Sequence, residues 1–440
     1  MNTKIHFTVL LTFLLAGLYQ VAPAQSLYFP PISGNSWDTL SPSSLGWCQP
    51  ELDSLIDYLE DRDTRAFMLL KDGKIVVEKY YGSFTADSLW YWASAAKSLT
   101  AFLVGIAQQE GWLSITDTTS KVIGSGWTSC TASQEEKITI RDQLCMTSGL
   151  DDGVPDKDCT DPACLQYLAD AGARWAYHNA PYTLLDTVIT AATGQTLNGY
   201  LQQKVKAPTG MTGLFIKIGF NNVFVSNARS LARYGLLILN KGNWNGSQVM
   251  TDTSYFGQML NSSQLLNPSY GYLWWLNGKS SHMLPGTQFV FSGSMCPSAP
   301  PDMVAAMGKN GQMLNVVPSQ NLVWLRLGDE PNAGLVPNFF NDTIWQKLNA
   351  VMCSTVPIIE IPATKGSSIF PNPVAGGTTV EFTSESIGEV AVRNMSGSVL
   401  LRKSVKPGIN QIDLTGIPAG IYFVSHPSSK NGVVSRLVVQ

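Results

Sequence analysis

Residues 90–98 of this 440-residue chain read WYWASAAKS and lead into a helical pattern that continues to Gln109. Ser94 and Lys97 stand three positions apart at the predicted helix start, so their side chains share one helix face. The positive end of a helix dipole stabilises an alkoxide and opposes the charge of a lysine. A lysine acts as a base only if its pKa falls from about 10.4 toward 7 or 8. The stretch predicts a serine nucleophile with a lysine base, although S-x-x-K alone also fits an N-cap serine beside a solvated lysine.

A second candidate element is Tyr177-His178-Asn179, which falls in a Pro-containing loop before another helical stretch. A tyrosine near cations can ionise or relay a proton, and an asparagine amide can hold a substrate carbonyl. Loop tyrosines also occur for packing alone. His178 either tunes the site or is an ordinary loop histidine.

The third element is the turn Lys309-Asn310-Gly311-Gln312, which follows a strand-like run. Lysine at this place can hold a carboxylate or tune the tyrosine, and glycine lets the backbone approach a ligand closely. The motif is weak when taken alone, because residues 430–432 repeat its first three letters.

The three elements occur in the order found in serine β-lactamases of the class C type, D,D-peptidases and related esterases, and the chain resembles this family over residues 50–353. The resemblance implies that Ser94 is acylated and that Lys97 and Tyr177 exchange its proton. It implies a set of substrate-binding residues: Asn179, Lys309, Asn310, Gly311 and Gln312. The oxyanion hole would consist of the N–H groups of Ser94 and Gln312.

One departure from the family pattern affects substrate choice. Asn310 replaces the hydroxyl residue of the usual lysine-threonine-glycine box, and no second cation is evident near it. This weakens the case for penicillin-like substrates. The layout also resembles family members that cleave small linear esters and amides, including 6-aminohexanoate-dimer hydrolases.

Strand-like runs flank a turn pair at Asp72-Gly73 and return at 303–327, before a helical stretch at 339–351. This pattern predicts an α/β (α+β) unit, in which one antiparallel sheet built from both ends of the chain is flanked by helices beside a helical lobe. The resemblance implies the β-lactamase/transpeptidase-like fold.

The two ends of the chain differ from this unit. Residues 1–24 read as an export signal, 25–355 as the hydrolase domain, 356–366 as a linker, and 367–440 as short alternating strands typical of a small β-sandwich. Phe370-Pro371-Asn372-Pro373 and the final strand resemble the type IX secretion system C-terminal sorting domain. The expected protein is secreted with type IX machinery as its partner, and the alternative for the tail is a generic attachment module.

Composition limits the remaining choices. A net charge of −3, with 14% charged residues, excludes a basic nucleic-acid surface. The motifs of zinc proteases and phosphate loops are absent, so we expect a small-molecule substrate, no metal, no cofactor and no stable membrane span. Cys159 and Cys164 are close enough in sequence to predict a local disulfide. The leading function is a secreted serine hydrolase, and the rival is a non-catalytic surface-binding or adhesion protein that keeps the fold.

Overall fold

The structure is a computed structural model that describes residues 27–330, 334–353, 369–384, 386–394, 398–425 and 434–440. It divides the chain into two compact units, and the division falls after Cys353. Each unit has an apolar core of its own. The predicted export signal, residues 1–24, and the predicted linker, residues 356–366, lie outside the described residues.

The first unit places helices and short strands between two groups of longer strands. Its helices are α1 (Gln49–Glu60), α2 (Lys97–Gln109), α3 (Thr119–Ile123), α4 (Ala132–Glu135), α5 (Ile140–Cys145), α6 (Asn179–Thr193), α7 (Leu197–Leu201), α8 (Ala207–Thr209), α9 (Ala228–Leu239), α10 (Thr253–Met259) and α11 (Asn338–Val351). Its strands are β1 (Thr64–Lys71), β2 (Lys74–Tyr80), β3 (Trp90–Tyr91), β4 (Leu214–Ile218), β5 (Asn221–Ser226), β6 (Asn243–Trp244), β7 (Ser247–Gln248), β8 (Trp275–Leu276), β9 (Ser281–His282), β10 (Phe291–Ser292), β11 (Val304–Gly308), β12 (Gln312–Val317) and β13 (Leu322–Gly328). In the part of the chain that the structure describes, no helix has the length and apolar content of a membrane span.

The main sheet joins the two ends of this unit. Its six strands lie in the order β2-β1-β13-β12-β11-β8, and neighbouring strands pair antiparallel. β1 and β2 form the predicted hairpin, and its turn residues Asp72 and Gly73 have φ values of 51° and 82°, as a tight hairpin turn requires. The prediction of one antiparallel sheet built from both ends of the chain is confirmed.

Helices cover both faces of this sheet. On β13, Val323 faces α9, because a Cβ on Gly235 would meet the Val323 side chain. The next residue, Trp324, contacts Trp345 of α11, with ring centroids 6.0 Å apart. Successive side chains of a strand point to opposite faces, so α9 and α11 lie on opposite sides. On the α11 side, α1 packs against α11, and a disulfide joins the residues that flank them, Cys48 and Cys353.

The helical lobe is centred on α2. Every residue of α2 from Lys97 to Ala107 is buried, and the helix packs against α6 and α10. A 3-10 turn, Ala93–Ala96, precedes α2 and contacts β11 and β12. We call it the Ser94 turn, and it lies where the main sheet meets the helical lobe.

The second unit consists of short antiparallel strands. They are β14 (Thr379–Ser384), β15 (Gly388–Arg393), β16 (Val399–Val405), β17 (Gly408–Asp413), β18 (Gly420–Ser425) and β19 (Val434–Val439). β14 pairs with β17, and the other four lie in the order β16-β15-β18-β19. Val380 and Ile412 of the first sheet share one apolar cluster with Val392 and Val424 of the second. The predicted small β-sandwich is confirmed.

Candidate active site

The Ser94 turn is held on two sides. Strand β3, just ahead of it, pairs with β5 through Trp90 and Ser226. Ala93 has a φ of 48°, a left-handed conformation that costs a non-glycine residue about 1–3 kcal/mol. At the end of β11, a Cβ on Gly308 would lie 2.8 Å from the backbone nitrogen of Ser94. The turn is therefore strained, and only glycine lets the strand pack so closely against it.

The side chains of Ser94 and Lys97 are in direct contact. Lys97 Nζ donates a hydrogen bond to Ser94 Oγ, and the two atoms are 2.9 Å apart. Lys97 is 4% exposed, and its Nζ lies 4.2 Å from the ring centroid of Tyr182 and 5.2 Å from that of Tyr177. Burial lowers the pKa of Lys97 to about 7, although two nearby carboxylates oppose the shift. Near pH 7, a substantial fraction of the amine is therefore neutral and able to accept a proton.

Tyr177 lies beside the same serine, shortly before α6 begins. Its phenol is hydrogen-bonded to Ser94, and its ring stacks on Trp275 with centroids 5.8 Å apart. Burial raises the pKa of Tyr177 far above its ordinary value, and the hydrogen bond to Ser94 offsets only part of this rise. A phenol with a raised pKa stays neutral near pH 7, which agrees better with the expected proton relay than with ionisation.

The neighbouring His178 is buried, and burial lowers its pKa to about 4. Neither ring nitrogen has a hydrogen-bond partner among the described residues. His178 is not one of the residues that line the pocket at Ser94. It is therefore a neutral packing residue at physiological pH.

Asn179 is the first residue of α6. Its Nδ2 donates a 2.7 Å hydrogen bond to Asp158 Oδ1, and the orientation is fixed because a carboxylate only accepts. Its Oδ1 is buried without a partner in the described part of the chain. The second Nδ2 hydrogen and the unpartnered Oδ1 are both left for a substrate, so this side chain can meet the carbonyl that the sequence suggested or an N–H group.

Lys309 lies at the pocket, but Asn310 turns away from it. The Asn310 amide donates hydrogen bonds to Tyr91 Oη and to an Asp329 carboxylate oxygen, both at 2.9 Å. Its φ of 61° reverses the chain between β11 and β12. The expectation that Asn310 binds substrate is wrong, because both of its amide hydrogens have partners outside the pocket.

Gly311 and Gln312 also lie outside the pocket lining. Arg326 donates a 2.9 Å hydrogen bond to the Gly311 carbonyl. Gln312 is fully buried, and its amide bonds both the carbonyl and the N–H group of Gly328, at 2.6 and 3.1 Å. The pocket positions predicted for both residues are wrong, because the turn folds back into the sheet after Lys309.

The pocket at Ser94 has a volume of about 280 Å³. It brings together five residues singled out from the sequence: Ser94, Lys97, Tyr177, Asn179 and Lys309. Other lining residues were not foreseen, among them Lys157, Asp158, Tyr182, Asn222 and Leu335. Lys157 is a third lysine at the pocket, besides Lys97 and Lys309, and the sequence near the 309–312 turn did not reveal it.

Lys157 and Asp158 belong to a loop that is fastened at two points. Cys159, the next residue, forms the predicted disulfide with Cys164. The Lys157 carbonyl accepts a 3.1 Å hydrogen bond from the N–H group of Ala180 in α6. The predicted disulfide was the one sequence signal that pointed to this loop.

Comparison with known proteins agrees with this geometry. The beta-lactamase family matches residues 52–329, more than half of the chain. The secretion system C-terminal sorting domain matches residues 368–440. An uncharacterized protein of Alkalihalophilus pseudofirmus is 25% identical over 307 residues, which cover 61% of this chain and 84% of that protein.

Solved structures share the fold at low sequence identity. A Bacillus anthracis protein provisionally designated a 6-aminohexanoate-dimer hydrolase aligns with a TM-score of 0.55 and 17% identity, over 73% of this chain and 89% of its own. An octameric penicillin-binding protein homologue from Pyrococcus abyssi aligns with a TM-score of 0.53 and 15% identity, over 89% and 96% of the two chains. The chain therefore belongs to the beta-lactamase family, whose members are serine hydrolases, and it ends in a type IX C-terminal sorting domain that indicates export.

Proposed function

We propose that this protein is a secreted hydrolase that cleaves small esters or amides through an acyl-enzyme on Ser94. The observation that carries the proposal is the 2.9 Å contact between Ser94 Oγ and a buried Lys97 amine. A nucleophile within hydrogen-bond reach of a base whose pKa is about 7 is the arrangement that covalent catalysis requires.

The proposed acylation begins with proton transfer from Ser94 Oγ to the neutral amine of Lys97. Ser94 Oγ then attacks the substrate carbonyl carbon, and the carbonyl oxygen becomes an oxyanion. Tyr177 donates its phenolic proton to the leaving oxygen or nitrogen as that bond breaks, and it recovers a proton from Lys97. Water attacks the ester of Ser94 by the same route in reverse, which releases the acid and restores the serine.

The oxyanion needs N–H donors at the Ser94 turn. We assign one donor to the backbone of Ser94, which lies in the turn that leads into α2, where the helix dipole favours negative charge. We assign the second to Lys309 in place of the predicted Gln312, because Gly308 packs on the Ser94 nitrogen and Lys309 is the next residue. Removing one such donor typically costs about 100- to 1000-fold in kcat.

A fluorophosphonate probe tests the nucleophile. The purified protein should be labelled, and Ser94→Ala should abolish labelling and lower turnover by several orders of magnitude. Ser98→Ala is the matched control, because Ser98 lies on the next turn and donates to the Ala95 carbonyl at 2.7 Å. Labelling that survives Ser94→Ala would reject this nucleophile, whereas an unlabelled wild type would support the non-catalytic binding protein.

We further propose that short-chain activated esters are turned over faster than penicillins or cephalosporins. The residue after Lys309 is Asn310, which has no hydroxyl to share in binding a β-lactam carboxylate. Its amide hydrogens are bonded to Tyr91 and Asp329 instead. Losing one charge-assisted hydrogen bond costs about 1.5–3 kcal/mol, or roughly ten- to more than a hundredfold in rate. Linear amides are a further class to measure, given the Bacillus anthracis relative.

The measurement is kcat/KM for a nitrophenyl ester of a short acid against kcat/KM for a cephalosporin reporter. Lys157 faces the same pocket as Lys309, so Lys157→Ala is a useful companion variant. A higher kcat/KM for the cephalosporin would contradict the ester preference. A loss of cephalosporin turnover in Lys157→Ala would then identify this lysine as the carboxylate partner.

A further inference from the structure

A carboxylate that the proposed reaction does not use lies beneath the pocket. Asp186 is 5% exposed and follows Tyr182 by one turn of α6. One of its oxygens, Oδ2, accepts a hydrogen bond from the Asn222 amide. The other, Oδ1, has no partner among the described residues.

This arrangement does not serve stability. A buried carboxylate with one oxygen unbonded loses more hydration energy than a single hydrogen bond returns. Asp186 also lacks the close ion pair that usually accompanies a buried charge, since no lysine or arginine nitrogen in the described chain lies within 4.0 Å of it. A role in the neighbouring site is a better explanation for a charge placed here.

One hydrogen bond and one shared helix connect Asp186 to that site. Asn222, which it bonds, lines the pocket together with Ser94. Tyr182 lies one turn earlier on the same helix, and its ring centroid is 4.2 Å from Lys97 Nζ. Asp186 and Lys97 are close enough that each shifts the pKa of the other.

The charged and titratable groups around Asp186 come from three elements. α2 contributes Lys97, and α6 itself contributes Tyr182. β4 contributes Lys217, which lines a second cavity of about 520 Å³ together with Asp186 and Asn222. Asp158 acts on Lys97 from the disulfide-closed loop.

We propose that Asp186 is a positioning residue for this reaction, which fixes Asn222 in the pocket wall and sets, through its charge, the pH at which Lys97 becomes a base. The inference rests on the proposed function of Ser94 and Lys97. It assigns Asp186 no contact with substrate.

The direction of the effect follows from the signs of the charges. A negative Asp186 raises the pKa of Lys97 and so retains the proton on the amine. Burial raises the pKa of Asp186 itself to about 7, so the two groups lose their protons over the same pH range. As pH rises, part of the first proton lost comes from Asp186, and the charge that appears delays deprotonation of Lys97. Removing the carboxylate removes both effects.

The experiment compares the pH dependence of kcat/KM for a short-chain nitrophenyl ester in wild type and Asp186→Asn. The acidic limb of the profile should move to lower pH by about one unit in the variant, as expected for loss of a nearby charge. The pH dependence of the rate of fluorophosphonate labelling should shift equally. Asp170→Asn is the matched control, because that exposed carboxylate pairs with Lys137 and does not line the pocket; its limb should stay in place.

A second variant guards against misfolding of Asp186→Asn. The hydrogen bond from Asn222 lowers the pKa of Asp186, so Asn222→Ala should keep Asp186 neutral to higher pH and shift the limb in the same direction. An acidic limb that stays at the wild-type pH in both variants would overturn the inference while leaving the nucleophile assignment intact. A wild type that the probe does not label would instead overturn the proposed function, and the inference with it.

Discussion

Burial of a single amine distinguishes this site from an ordinary serine at a helix start. Lys97 is enclosed by Tyr177 and Tyr182 and lies within hydrogen-bond reach of Ser94. Desolvation disfavours the ammonium form and makes the amine a usable base. An exposed lysine at the same spacing would remain protonated at neutral pH, and the S-x-x-K pattern would have no catalytic meaning.

We expect Lys97 and Tyr177, the two residues proposed to transfer the proton, to act as one unit. Lys97→Ala and Tyr177→Phe should each lower kcat/KM by about 100-fold or more, because each removes a group from the same proton path. The double variant should be little slower than the slower single variant. Steady-state kinetics on the four proteins measures this, and effects that multiply would show that the residues act independently.

The pH profile should report Lys97 directly. The proposed mechanism makes the neutral amine the active form, so kcat/KM should rise with pH through a midpoint near 7, the pKa to which burial lowers Lys97. Tyr177 should give no basic limb in the neutral range, since burial raises its pKa. A rate that is constant across neutral pH would contradict the role of Lys97 as base.

Individual site residues could be predicted from the sequence only where their separation along the chain placed them together. Ser94 and Lys97 were found because three positions along a helix place them side by side. Asp158 and Asp186 were not, because each reaches the site only through tertiary packing, against Asn179 and Asn222 respectively. No local pattern marks such carboxylates.

At the scale of elements, long periodic segments were predictable and short turns were not. The Asp72-Gly73 hairpin and the helices around Ser94 and at the end of the first unit follow their hydrophobic patterns. The pocket positions predicted for residues 310–312 were wrong because Asn310 has a left-handed backbone conformation. The chain reverses there, and the residues after it enter strand β12. Motif letters alone do not specify on which side of a turn each residue lies.

We expect the Cys159–Cys164 disulfide to contribute little to the free energy of unfolding but to support substrate binding. Cys159 and Cys164 are separated by 5 positions, whereas Cys48 and Cys353 are separated by 305. Loop entropy gives about 2 kcal/mol for the short loop and about 5 kcal/mol or more for the long one. Replacing Cys159 and Cys164 by serine should therefore lower Tm modestly and raise KM, because Asp158 is released.

The matched control is the variant in which Cys48 and Cys353 are both replaced by serine. It should lower Tm more, and it should leave KM of the folded enzyme unchanged because neither cysteine lines the pocket. Thermal unfolding and steady-state kinetics on both pairs give the comparison. An unchanged KM in the short-loop variant would show that the disulfide does not hold the pocket wall.

At the scale of the whole molecule, the candidate active site and the sorting domain occupy separate units. The pocket residues all belong to the first unit. The second unit has its own apolar cluster and matches the sorting domain over residues 368–440. The sequence predicted this separation, because short alternating strand-like segments separated by turn formers begin near residue 367 and resemble the sorting domain.

Ending the chain after Cys353 should leave a folded enzyme. Independent cores should tolerate separation at the boundary between them, so kcat/KM and Tm of the first unit should match those of the full chain. In a type IX host, the shortened protein should fail to reach the medium, which immunoblotting of cell and medium fractions measures. Ser94→Ala in the full chain is the control for export without activity, and release of the shortened protein would contradict the sorting role.

The bond between Cys48 and Cys353 also gives the first unit the topology of a ring. Every residue of the pocket lies between these two cysteines in sequence, so a single proteolytic cut in a surface loop between them opens the ring without releasing a fragment. Both pieces stay covalently attached and packed in one core, and they separate on a gel only after reduction. An enzyme exported among extracellular proteases could in this way be nicked and still keep Ser94, Lys97 and Tyr177 assembled.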